Sequence, residues 1–96
     1  MKNNVKPARL GFRLYVAGSG PRSLAAIRNF KRICEERIAG QYDLEVVDIY
    51  QQPKLAAQDK IAAAPTLLRY HPDGAKRLIG ALSIEGVVCH ELGLAC

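Results

Sequence analysis

A chain of 96 residues, 49% hydrophobic and 24% charged, has the composition of one ordinary globular domain and excludes a disordered, collagenous or low-complexity protein. So short a chain buries only about 60–65% of its unfolded surface, which leaves one core and little room for an enclosed active site. The net charge of +5, from 14 Lys+Arg against 9 Asp+Glu, suits an acidic partner, while the lack of any run near the ~20 apolar residues of a bilayer span excludes a membrane helix.

Residues 1–9 are polar and basic and read as a tail outside the domain, which is expected to occupy 10–96. Residues 12–17 read as the first strand, with Phe12, Leu14 and Val16 on one face and Tyr15 on the other. The loop Gly18-Ser19-Gly20 leads to Pro21, which suits a first helical position because its missing N–H has no helical partner there. The helix is expected to run to about Ala39. Leu24, Ile27, Cys34 and Ile38 should share its apolar side, widened by Phe30 and Ile33, with Gly40 closing it.

The β-rich run 43–50 holds Val46-Val47 between Leu44 and Ile49, a pattern that predicts a strand buried on both faces of a parallel sheet. Pro53 opens a shorter helix to about Ala62. Ala64-Pro65-Thr66 precedes a third strand ending at His71, and Pro72-Asp73-Gly74 makes a turn into a returning strand over 76–82. Ser83 is an N-cap for a last helix carrying Ile84, Val87, Val88 and Leu92 on one side. The order β-α-β-α-β-β-α is that of a thioredoxin-like α/β domain, in which Pro65 stands where that fold carries a cis proline.

The chemistry of that fold is missing. A thiol oxidoreductase keeps C-x-x-C at the start of the first helix, where the helix N-terminus lowers the thiol pKa. Here the stretch reads Ser19-Gly20-Pro21-Arg22-Ser23, without cysteine. It also lacks the length and the lysine of a phosphate-binding P-loop, so a connecting turn is the preferred reading. Cys34 lies on the apolar helix face and reads as core. Cys89, His90 and Cys96 match no zinc spacing, and three cysteines, an odd number, fit reduced thiols in a cytoplasm. His71, Asp48, Asp59 and Asp73 show no pairing for acid–base work. The sequence therefore implies no enzyme, no catalytic residue, no cofactor and no metal. Nucleic-acid binding is disfavoured, because the helix cations Arg28, Lys31, Arg32 and Arg37 are mixed with Glu35 and Glu36 as on a solvated face. The element order also differs from that of the RNA-recognition fold.

Leu14-Tyr15-Val16-Ala17-Gly18, Val46-Val47-Asp48-Ile49, Gln52-Pro53-Lys54-Leu55-Ala56, Asp59-Lys60-Ile61, Ala64-Pro65-Thr66-Leu67 and Arg77-Leu78-Ile79-Gly80 together resemble the bacterial clock family KaiB over roughly residues 12–84. The resemblance implies a non-enzymatic cytoplasmic protein that binds KaiC, a hexameric ATPase and autokinase, and modulates its phosphorylation state in timing or stress control. A SasA-like histidine kinase would compete for the same partner. It also implies two available arrangements: the thioredoxin-like one, and a usually tetrameric ground state ordered β-α-β-β-α-α-β. The Pro72-Asp73-Gly74 hairpin favours the first, and the second stays open. In the D-K-I segment, Lys60, with Asp59 beside it, matches a family position at the KaiC interface; without the resemblance it reads as a solvated lysine at a helix end. Arg69 and Arg77 match basic family positions, and equally suit outward positions on a hairpin. Two departures stand out. Glu45 replaces a basic residue on the edge strand that cyanobacterial members use for KaiA, which argues against KaiA capture. The segment Val88-Cys89-His90-Glu91-Leu92-Gly93 also departs from the family's C-terminal pattern.

Overall fold

The computed structural model describes residues 10–71 and 76–79. The tail and the last helix expected from the sequence, the Pro72-Asp73-Gly74 turn and the end of the returning strand lie outside them. The elements are β1 (Leu10–Val16), α1 (Pro21–Arg37), β2 (Tyr42–Asp48), α2 (Pro53–Gln58), β3 (Thr66–His71) and β4 (Lys76–Ile79). They build one four-stranded sheet ordered β2-β1-β3-β4. β1 runs parallel to β2 and antiparallel to β3, and β3 runs antiparallel to β4. Among the described residues this is the thioredoxin-like order, with β3 and β4 paired where the ground-state arrangement would place helices. The Ala64–Pro65 bond is cis.

The sheet has a helix cluster on each face. On one side, Phe12, Leu14 and Val16 of β1 meet Ala26, Phe30, Ile33 and Cys34 of α1, with Ile38, Leu67 and Leu78 completing the core. Phe12 and Phe30 pack edge to face with ring centroids 5.0 Å apart, an arrangement that adds about 0.5–1.5 kcal/mol beyond area burial. On the other side Tyr15 and Val47 meet Ala56, with Ile49, Leu55 and Ile61 packed against them. The side-chain alternation expected for β1 is therefore present, because a strand of period two sends successive residues to opposite faces.

Three expectations need correction. β2 is not buried on both faces: Val47 is buried, but Val46 is 40% exposed. Among the described residues β2 has a strand on one side only, so the doubly covered position belongs to β1, which lies between β2 and β3. Leu24 is 51% exposed, and Ser23 and Ala26 take the buried places near the start of α1. The inner stripe of that helix follows Ser23, Ala26, Phe30, Ile33 and Cys34, and Leu24 lies about 100° round the helix from Ser23. Finally, α2 ends at Gln58 rather than near Ala62. Lys60 adopts φ 56°, which breaks the helical path. By contrast α1 closes as expected: Ile38 N–H donates to the Cys34 carbonyl at 2.8 Å, and Gly40 takes φ 75°, a conformation glycine adopts without a Cβ clash.

Candidate functional site

The end of α2 is built as a Schellman closure. Lys60 N–H donates to the Ala57 carbonyl at 3.1 Å, and Ile61 N–H reaches back to the Ala56 carbonyl at 2.9 Å. Ile61 also packs against the buried cluster that Ala56 forms with Tyr15 and Val47, the kind of hydrophobic contact such closures carry. The left-handed position is usually glycine. Here it is a lysine, at a cost of about 1–2 kcal/mol, with its side chain exposed. A non-glycine residue persists in that conformation only when its surroundings over-determine it.

Those surroundings come from all four strands, β1 and β4 directly and β2 and β3 through Arg13. Asp59 is held by β1: Arg13 Nη1 donates to its Oδ2 at 2.9 Å, and the Tyr15 hydroxyl donates to the same oxygen. The Tyr15 oxygen also lies 3.2 Å from the Leu55 carbonyl. Arg13 is further fixed by Glu45 on β2, its cross-strand neighbour, through Nε to Oε1 at 2.9 Å. Its guanidinium sits 5.1 Å from the Tyr70 ring centre on β3. From β4, Arg77 donates to the Asp59 carbonyl and, at 3.4 Å, to the Lys60 carbonyl.

The electrostatics follow from this geometry. Partial burial works to raise the Asp59 carboxyl pKa, but the hydrogen bonds from Tyr15 and Arg13 outweigh it and hold the group below its ordinary value. Burial, then the bond to Asp59, pushes the Tyr15 phenol up to about 12. Asp59 is thus a carboxylate and Tyr15 a neutral donor across the physiological range. Asp59's charge is spent inside the molecule, while the neighbouring Lys60 ammonium points into solvent.

Of the four residues singled out from the sequence, Asp59, Lys60 and Arg77 come together here. Arg69 does not. It pairs with Phe12 in the β1–β3 register, two positions from Leu67, and so stands on the α1 side of the sheet, whereas Arg77 is opposite Leu68 on the α2 side. Arg13 and Tyr15 were missed as functional residues. The signal for them was a charged residue inside the apolar run of β1, sharing a face with the tyrosine two places on.

The loop at the usual redox position is a structural joint. Gly18 takes φ 75°. The Asp48 carboxylate accepts from Gly18 N–H at 3.2 Å and from Tyr50 N–H at 2.9 Å, tying this loop to the one after β2. The Ser23 hydroxyl donates to the Ala17 carbonyl at 3.2 Å. A hollow of about 110 Å³ lies beside the cis proline, lined by Ala17, Arg22, Ser23, Ala64 and Pro65. Cys34 is fully buried on α1, and burial pushes its thiol up to about 12, which leaves no thiolate for disulfide exchange at neutral pH. Among the described residues no three His, Cys, Asp or Glu side chains gather as metal ligands, and no helix is long and apolar enough to cross a membrane. Cys89, His90 and Cys96 lie outside them.

Comparison with known structures supports the fold. The N-terminal domain of SasA from Synechococcus elongatus superposes with a TM-score of 0.72 at 19% identity, covering 96% of this chain and 87% of that one. A thioredoxin from Trypanosoma brucei brucei matches with 0.70 at 15% identity, covering 88% and 73%. At these identities the likeness establishes a thioredoxin-like fold and nothing more. Sequence relatives are nearer. Circadian clock protein KaiB3 of Synechocystis sp. is 41% identical over 75 residues, 78% of this chain and 74% of its own length. The circadian clock oscillator protein KaiB of Prochlorococcus marinus is 46% identical over 71 residues, 74% of this chain and 66% of its own. The KaiB domain itself matches residues 13–94. With that match spanning both the α2 closure and the sheet that holds it, the chain belongs to the KaiB family of circadian clock proteins.

Proposed function

We propose that this protein is a non-enzymatic regulator that docks on a KaiC-type hexameric ATPase and modulates its phosphorylation state, with Lys60 as the principal contact. Family membership supports a clock role. The observation that carries the finer reading is Lys60 itself, an exposed cation on a left-handed backbone held from β1 and β4. A preorganised backbone loses little freedom on binding, so a cation carried on it favours recognition of an acidic surface. Asp59 and Arg77 belong to the same surface by holding the turn, and Arg69 offers a basic group on the other face. The SasA domain shares the fold, which fits two proteins competing for one partner. Glu45, paired with Arg13 at the sheet edge, stands where cyanobacterial members present a base, and the missing base argues against KaiA as a further partner.

The test is size-exclusion co-elution with a KaiC homologue and ATP. Wild-type protein should form a complex at micromolar concentration, and Lys60→Glu should weaken it by about tenfold or more, the scale of a charge reversal at a close ion pair. Absence of any complex with the wild type would defeat the proposal.

A further inference from the structure

We infer that Arg77 is a positioning residue, not a contact residue: it clamps the left-handed turn at the end of α2 and so makes presentation of Lys60 conditional on β4 being paired in register. The binding half of this inference rests on the docking role proposed above; the clamp itself does not.

Three observations converge. Among the described residues the carbonyls of Asp59 and Lys60 accept no backbone N–H in the closure of α2, which uses the carbonyls of Ala56 and Ala57. Both accept instead from one guanidinium, Nη2 of Arg77 to Asp59 and Nη1 to Lys60. A planar fork can span two adjacent carbonyls in a way that a single ammonium cannot. The clamp also comes from a distant strand whose side-chain direction is set by pairing. Arg77 lies opposite Leu68, and Leu78 beside it points into the α1 core opposite Leu67. A slip of one residue in β4 would send Arg77 to the other face and bring Leu78 out of the core. The clamp therefore closes in one register only. Asp59 supplies the second tether through Arg13 and Tyr15, so the turn is held from β1 on its side-chain side and from β4 on its carbonyl side.

The experiment has two arms. In the free protein, amide hydrogen exchange is followed at Lys60 and Ile61, whose N–H groups make the closure, with the β1 amides as reference. Arg77→Ala should raise exchange at Lys60 and Ile61 by about tenfold while β1 stays unchanged, and Arg77→Lys should restore only part of the protection. Lys60→Gly in the Arg77→Ala background should restore it, because glycine needs no clamp to hold a positive φ. Unchanged exchange at Lys60 and Ile61 in Arg77→Ala, or failure of the glycine rescue, would overturn the clamp.

In the second arm, binding to the KaiC homologue with ATP is measured as a double-mutant cycle. Arg77→Ala should weaken binding about tenfold in the wild type, in the range of a lost hydrogen bond to a charged group. It should have little effect in a Lys60→Ala background, since the two act as one unit. Equal losses in both backgrounds would make Arg77 a contact in its own right and overturn the positioning role. If the wild type forms no complex, the docking role falls, and the exchange arm still decides whether Arg77 clamps the turn.

Discussion

The two faces of this sheet are held together by different physics. The α1 face is a dry contact of Phe12, Leu14, Val16, Phe30, Ile33 and Leu67, all fully or nearly fully buried. Among the described residues the α2 face has Tyr15, Val47, Ala56 and Leu68 as buried apolar anchors, and its remaining order comes from Arg13, Asp59, Glu45 and Arg77. Apolar packing is non-directional and supplies most of the stability. Hydrogen bonds are worth little net, but they are directional and costly to leave unmade. The α1 face thus stabilises the fold, and the α2 face spends stability on one defined turn, including a lysine in a conformation that favours glycine. The docking role proposed for Lys60 would need the second kind of order.

The largest expected effect lies on the dry face. Phe30→Ala removes a fully buried ring and its edge-to-face partner contact with Phe12, and should cost about 3–5 kcal/mol. Urea unfolding checks this, and a loss under about 1 kcal/mol would mean that α1 is not the stabilising layer.

On the polar face the expected loss is smaller but depends on pH. Tyr15→Phe leaves the ring in place and removes the hydroxyl that donates to Asp59, at a cost of about 1–3 kcal/mol for a bond to a charged group. Because the folded-state pKa of Asp59 lies below its unfolded value, its contribution is present above the ordinary carboxylate pKa of about 3.9 and is lost as pH falls through the lower folded value. Stability of the wild type should therefore drop on acidification, and the drop should be shallower in Tyr15→Phe, where less of the depression remains. Urea midpoints measured from neutral to acid pH separate the two; parallel curves would show that Tyr15 does not tune Asp59.

The smallest effect sharpens the comparison from outside it. Leu24 sits on α1 but is 51% exposed, so Leu24→Ala should change stability by no more than about 0.5 kcal/mol. A loss as large as that of Phe30→Ala would return Leu24 to the core.

Much of this was legible in the chain because it is local. The apolar alternation of β1, Pro21 at a helix start, Gly40 at its end and the punctuation at Pro53 and Pro65 each depend on a few neighbouring residues, and each marks the element it should. The absent thiol at Ser19-Gly20-Pro21-Arg22-Ser23 is equally local, as is the D-K-I segment that pointed to Lys60. Burial was less legible. Val46 and Leu24 are apolar and sit in apolar runs, yet whether they are covered depends on strand order and on the angle at which α1 meets the sheet.

Short-range pattern thus determined by itself the order of the described elements and the chemistry of the first loop, and the resemblance of a few motifs pointed to the clock family. The tertiary structure alone decided that β1 rather than β2 is the doubly covered strand, that Arg69 and Arg77 part to opposite faces, and that Lys60 sits on a clamped left-handed turn. The reason is distance along the chain: Arg13 meets Asp59 across 46 residues and Arg77 meets it across 18. Contacts at such separations are made by the pairing of the sheet, and only afterwards do they act back on the backbone of a single lysine.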